Sequence, residues 1–223
     1  MKIISLLASP HGLKGNTAGL LRDVHEGAEP EGARIETVVL KGGTVLPCLG
    51  CDACHKKGFC VQKDEFEPIK KKIAEADGLV LASPNYILNV SAQLKAFMDR
   101  CCGVVHCMQF WDKYGVSVVT SGGDGGESVA GYMDYFLITV GAVPAGSVWA
   151  SVSEMTGTGF KDDVREKARA LGKRLVEAWR AGEMPPGVEK RRNDFLERMR
   201  ALMAWRGEEW PYEHRYWKEN RGL

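Results

Sequence analysis

Short apolar runs of strand length alternate with amphipathic runs of helix length along most of this chain. "KIISLLA" (2–8), "RIETVVL" (34–40), "GLVLAS" (78–83), "YGVSVVTS" (114–121) and "GSVWASV" (146–152) predict five strands. "GLVLAS" is short and wholly apolar, as expected for a sheet buried on both faces. Helices are predicted between them. Residues 16–28 place Leu20, Leu21 and Val24 on one face, with Asn16 or Thr17 as cap. Residues 66–76 tolerate Pro68 in a first turn. Residues 90–102 and 127–140 follow, and 160–181 carry a stripe of Val164, Ala168, Leu171, Leu175 and Ala178. Strands separated by helices indicate an α/β fold with a doubly wound, five-stranded parallel sheet. Such sheets bind ligands at the carboxyl ends of their strands, which directs attention to the loops after residues 8, 83 and 121.

"GEMPPG" (182–187) breaks the alternation and reads as a linker between a domain at 1–181 and a C-terminal extension at 188–223. The extension predicts an amphipathic helix at "NDFLERMRALMAW", followed by an aromatic-rich tail. Trp205, Trp210, Tyr212, Tyr216 and Trp217 are too many aromatics for a solvated tail. They pack either on the chain's own domain or on a neighbouring subunit.

The 223 residues, 44% of them hydrophobic, suffice for one large domain with an extension. A formal net charge of +1 gives no sign of nucleic acid or an anionic membrane as partner. No apolar run reaches the ~18–20 residues a spanning helix needs. The opening "MKIISLLAS" is basic then apolar, but it runs into a Pro-His-Gly turn rather than a cleavage site. The expected location is the cytoplasm, where thiols stay reduced, so the seven cysteines are not read as a disulfide framework.

Three loops carry candidate binding chemistry. "SPHGLKGNT" (9–17) leads from the first strand into a helix N-terminus. Ser9, Asn16 and Thr17 bring side-chain donors, Gly12 and Gly15 let N–H groups turn inward, and helix N-termini attract anions. The loop is a phosphate cradle without the Lys-Ser/Thr ending of a nucleotide-hydrolysing loop and without the dinucleotide glycine fingerprint. "SPNYILN" (83–89) sets an aromatic ring and rigid backbone after the third strand. "TSGGDGGE" (120–127) has four glycines, which let backbone approach a flat ligand. Together the loops describe a planar cofactor that bears a phosphate.

Ser-Pro followed by Gly-Asn-Thr at 9–17, Ser-Pro-Asn-Tyr at 83–86, "AQLKAFMDR" at 92–100 and "TSGGDGGE" at 120–127 resemble the flavodoxin-like NAD(P)H-dependent FMN reductase superfamily, over roughly residues 1–180. The resemblance implies FMN as cofactor and the flavodoxin-like strand order 2-1-3-4-5. It implies that Ser9, Asn16 and Thr17, with Gly15, hold the phosphate. Pro84, Asn85, Tyr86 and Ile87, with Gly122 and Gly123, would border the isoalloxazine, and Asn89, Ser121 and Asp124 complete the set in the same loops. Relatives often have Arg after the Ser-Pro. Here it is His11, so His11 or Lys14 must supply positive charge, unless the backbone acts alone.

"CLGCDACHKKGFC" packs Cys48, Cys51, Cys54 and Cys60 into one loop after the second strand. C-x2-C-x2-C is an iron–sulfur ligand spacing, and Cys60 stands five residues on, after a Gly58 that permits a sharp return. Structural zinc, usually held by two separated C-x2-C knuckles, fits less well, and free or redox-active thiols remain a third possibility. The spacing resembles the compact motif of the iron–sulfur flavoproteins, a branch of the same superfamily. That resemblance implies one 4Fe–4S cluster and one FMN per subunit, in a homo-oligomer (dimer or tetramer) where a cluster lies near another subunit's flavin. Cys101, Cys102 and Cys107 are read as structural, His55 as exposed and not a ligand, and Asp99–Arg100 as a helix-end ion pair.

No acid–base or nucleophile constellation appears, as expected where cofactors carry the reaction. The first reading is an electron-transfer flavoprotein that links a low-potential donor such as ferredoxin to an acceptor, a second protein or a small molecule. The alternatives are an NAD(P)H-dependent FMN or quinone reductase without a cluster, and a binding module whose cysteine loop holds zinc.

Overall fold

The computed structural model describes residues 1–157 and 159–223. Five strands, β1 (Lys2–Leu7), β2 (Arg34–Val39), β3 (Gly78–Pro84), β4 (Tyr114–Ser121) and β5 (Val143–Ser151), form one parallel sheet in the order β2-β1-β3-β4-β5. The sheet is flavodoxin-like and agrees with the expected α/β class and strand order. β3 and β4 are buried along their whole lengths, which accounts for the absence of any charged residue in either. β2 is an edge strand and keeps Arg34 and Glu36 exposed.

Helices α1 (Asn16–Ala28) and α7 (Asp162–Ala181) cover one face; α3 (Phe66–Ala74), α4 (Ala92–Arg100) and α6 (Gly126–Thr139) cover the other. Between α1 and α7 the backbones touch. A Cβ on Gly27 would stand 1.9 Å from the Arg169 carbonyl oxygen, and one on Gly172 the same distance from that of Val24. A short antiparallel pair, β6 (Met155–Thr156) and β7 (Gly159–Phe160), leads into α7.

The predicted helix over 90–102 is two elements. α4 ends at Arg100, and α5 (Cys102–Cys107) begins after Cys101, which caps both. The cysteine region contains one short helix, α2 (Ala53–Lys57), set between left-handed residues Asp52 (φ 57°) and Gly58 (φ 84°). Beyond residues 182–187, α8 (Val188–Arg206) and α9 (Pro211–Asn220) fold back on the domain. Trp217, fully buried, forms a third apolar cluster with Met108, Phe195, Met199 and Met203, and its indole N–H donates to the His106 carbonyl at 3.0 Å. Arg192 spans to the Trp111 and Gly141 carbonyls at 2.8 and 2.7 Å. This part of the aromatic tail therefore packs on its own chain, while Trp205 stays 73% exposed.

Candidate functional site

The carboxyl ends of β1, β3 and β4 open into a cleft of about 150 Å³. On one side stand Ser9, His11, Asn16 and Thr17; on the other, Pro84, Asn85, Tyr86, Ser121 and Gly122, with Thr120 and Val152 completing the walls. The expected side-chain cap of α1 is replaced by Gly15, and no side chain fills the helix start. The first N–H groups of α1, which a helix leaves unpaired, are thus open to an anion. The turn is tight: a Cβ at Gly15 would lie 2.9 Å from His11 Cβ and 3.1 Å from Ser9 Oγ. Thr17 is committed to Thr120, with their hydroxyl oxygens 2.6 Å apart, a bond that ties the first loop to the end of β4. His11 lines the cleft, whereas Lys14 and Gly15 line a neighbouring hollow across Asn16.

The second loop is fixed from below. Ser91 caps α4 by accepting from the Leu94 N–H, and its hydroxyl donates to the Ala8 carbonyl at 2.6 Å. Above it, Tyr86 and Asn89 exchange backbone bonds of 2.8 and 3.2 Å around Ile87 (φ 49°) and Leu88 (φ 60°). Two positive φ values define a type I′ turn, which normally calls for Asn or Gly. A β-branched residue there is strained, and such strain concentrates at functional sites. Ile87 is 97% exposed at the tip. Asn89 spends its side-chain oxygen on the Val90 N–H at 2.8 Å. Ile87, Asn89, Gly123 and Asp124 sit on the cleft's loops without lining it.

Asn85 joins the second and third loops. Its Nδ2 donates to Ser121 Oγ at 3.1 Å and to the Asp124 carbonyl at 2.9 Å. Its Oδ1 is buried and has no partner within the protein. An unpaired buried acceptor is costly, so its place in the cleft wall suits a planar ligand with an edge N–H. A side chain added at Gly122 or Gly123 would meet nothing within 4 Å, so both leave open space beside the loop. These residues fit a flavin: unpaired helix N–H groups at one end, an orphan acceptor and bare glycine backbone at the other.

The four cysteines of the loop are free thiols, Cys48 and Cys51 exposed, Cys54 and Cys60 half-buried. Gly50 (φ 60°), Asp52 and Gly58 turn the backbone left-handed at three points. The Gly50 N–H points to Cys48 Sγ at 3.4 Å and the Arg100 Nε to Cys60 Sγ at 3.1 Å. Hydrogen bonds to sulfur of this kind set the potential of an iron–sulfur cluster. The expected Asp99–Arg100 pair is absent: Asp99 takes Lys95 one turn back, and Arg100 turns inward. There its side chain is fully buried, meets both oxygens of Asp64 at 2.8 and 3.2 Å and donates to the Leu46 carbonyl at 3.0 Å. Arg100 thus clamps both ends of the cysteine loop.

A group that sequence reasoning missed lies behind this loop. His55, read from the sequence as exposed, is 4% exposed, because α9 covers it. Its Nδ1 donates to Glu213 Oε1 at 2.6 Å, and His106 Nδ1 donates to Oε2 of the same fully buried carboxylate at 3.0 Å. Burial alone would lower the His55 pKa, but its hydrogen bonds to Cys102, Cys54 and Glu213 outweigh burial and push it up to about 12. The same opposition leaves His106 at about 9. Hydrogen bonds from His106 and then His55 bring the Cys102 thiol down to about 6. Cys101 and Cys107, pushed up by burial, remain inert core thiols. One local signal was available: Cys102 and His106 are four residues apart and share a helix face.

Over residues 1–157 the chain matches the family described as NADPH-dependent FMN reductase. An iron–sulfur flavoprotein of Archaeoglobus fulgidus is 34% identical over 98% of both chains. Another, of Methanocaldococcus jannaschii, is 34% identical over 79% of this chain and 96% of its own. Among solved structures, a WrbA-like flavodoxin of Agrobacterium tumefaciens superposes with a TM-score of 0.58 at 17% identity, covering 82% of this chain and 99% of that one.

Proposed function

This chain belongs to the NADPH-dependent FMN reductase family, in its iron–sulfur flavoprotein branch, and from that premise we propose that it passes electrons between FMN and a 4Fe–4S cluster. It is a flavin-dependent oxidoreductase. We assign residues 1–181 as the flavin-binding unit and 188–223 as an extension that buttresses the cysteine loop. When bound, FMN supplies hydride and single-electron exchange, and a cubane supplies one-electron exchange. The physiological donor in this reading is a low-potential carrier such as ferredoxin, and the acceptor is a second protein or a small molecule.

The orphan Oδ1 of Asn85 is the observation that carries the flavin assignment. Around it, Ser9, Asn16 and the α1 N-terminus would take the phosphate, with His11 the nearer positive side chain. Pro84, Tyr86, Gly122 and Gly123 would border the ring. Cys48, Cys51, Cys54 and Cys60 would hold the cluster. The apolar, exposed tip at Ile87 and Leu88 supports a homo-oligomer that brings one subunit's cluster to another's flavin. Among the described residues no helix is long and apolar enough to cross a membrane.

The test is Cys51→Ala. It should abolish cluster absorbance and reduction by ferredoxin while FMN stays bound, because the flavin loops are separate. Loss of both cofactors from a folded variant would contradict the separation of the two sites. Rapid bleaching of the flavin by NADPH in a cluster-free variant would favour a simple reductase.

A further inference from the structure

The His55, His106 and Cys102 group has the organisation of a metal centre and no part in the flavin site, and it shares only His55 with the cysteine loop. His55 comes from α2, Cys102 and His106 from α5, and Glu213 from α9. Both Nδ1–H groups are committed to the one carboxylate, so the Nε2 atoms, which face the Cys102 thiol, are the ones a metal would take, displacing the protons they share with it. Metal-binding histidines characteristically donate their second N–H to a carboxylate, which fixes tautomer and ring orientation. His106 Nε2 lies 3.8 Å from Cys102 Sγ. Bond lengths of ~2.3 Å to sulfur and ~2.05 Å to nitrogen put a tetrahedral edge at about 3.5 Å, so closure needs only a small shift. All three ligand atoms fall within 4.8 Å of one another. The imidazoles stack at 4.7 Å and Trp210 packs on them at 4.6 and 5.0 Å, closing the site with an apolar wall.

We propose that His55, His106 and Cys102 form a divalent-metal site separate from the cluster, with Glu213 as the carboxylate behind both imidazoles. Two imidazoles and a thiolate select zinc over magnesium, calcium or manganese. Cys54, whose thiol also neighbours His55, is taken by the cluster in our reading, so the fourth position falls to solvent or an exogenous ligand. The ion would pin the cysteine loop to α5 and, through Glu213, to the C-terminal extension.

The experiment uses the full chain purified without oxygen, with FMN and cluster in place. Zinc and iron are counted by mass spectrometry, zinc affinity is measured by competition with a chelator, and cobalt replaces zinc as a spectroscopic probe. The expected result is about one zinc per chain, kept in Cys51→Ala although the iron is lost, and lost in Cys102→Ser and in His106→Gln although iron and FMN remain. Glu213→Gln, close to isosteric, should weaken zinc binding about 10–100-fold. Cobalt should give a thiolate charge-transfer band in the parent protein, so the ligand set can be read even if the Cys102 variant fails to fold. Zinc that leaves with Cys51, zinc unchanged in Cys102→Ser and His106→Gln, or no zinc or cobalt binding beyond the cysteine loop would each overturn the proposal.

Discussion

Replacing Arg100 by Met removes the clamp on the cysteine loop without adding bulk. The guanidinium is fully buried and meets a carboxylate, Asp64, that is 5% exposed. Asp64 would keep the Leu46 and Phe66 N–H groups at 2.8 and 3.1 Å, so it would stay ionised, now without a cation. Removing one partner of a buried pair costs about 3–5 kcal/mol, because the other charge is stranded in low dielectric. In a chain of this size each kcal/mol shifts Tm by roughly 2–4 °C, so calorimetry of the holoprotein should show a fall of about 6–20 °C. The Leu46 carbonyl and Cys60 sulfur lose their donor as well, so iron content should fall with stability. Arg100→Met combined with Asp64→Leu should cost less than the two single changes together, with a coupling of about 0.5–3 kcal/mol. A Tm drop below about 2 °C for Arg100→Met, or strictly additive effects, would refute the clamp.

Three further outcomes are expected. His25 is half-buried on α1, its Nε2 is 2.9 Å from Ser5 Oγ, and desolvation of its ring holds its pKa down at about 4. The unfolded chain binds this proton near pH 6.5, so stability is unaffected above that value and falls as pH drops toward 4. Urea titrations should show a loss of about 2 kcal/mol between pH 7 and pH 5 that His25→Asn abolishes; equal slopes in both proteins would remove this cause. Gly172→Ala drives a methyl into the Val24 carbonyl and should cost about 3 kcal/mol or more, measured by denaturation. Asn85→Ala removes the orphan acceptor and two loop ties, and should raise the FMN dissociation constant about 10–100-fold by flavin fluorescence. A lower Tm with unchanged flavin affinity would make Asn85 purely structural.

What was legible in the sequence was local. The observed strands overlap the apolar runs closely, because a doubly covered sheet demands largely apolar strands, and glycine and Ser-Pro clusters fall at the carboxyl ends of β1, β3 and β4. Cys48 to Cys60 were legible because their spacing is itself the signal. What escaped depends on partners far apart in the chain. Arg100 looks like a helix-end residue beside Asp99, and only the fold brings it to Asp64, 36 residues away. His55 sits among lysines and a glycine, and nothing nearby announces Glu213, 158 residues on, whose helix buries it. Lys95 sits on the same face of α4 as Asp99, so local helix geometry takes Asp99 away from Arg100. The restart of the chain at Cys102 rests on Cys101 ending one helix and beginning the next, a junction with no glycine or proline to mark it before Gly103.

The most direct test of the electron-transfer account is a visible spectrum of protein purified without oxygen, with iron, sulfide and FMN assayed on the same sample. The account predicts flavin bands over a broad cluster absorbance, with about four irons and four sulfides per flavin. Flavin bands with no iron or sulfide would contradict it and leave a simple flavin reductase with four unemployed thiols.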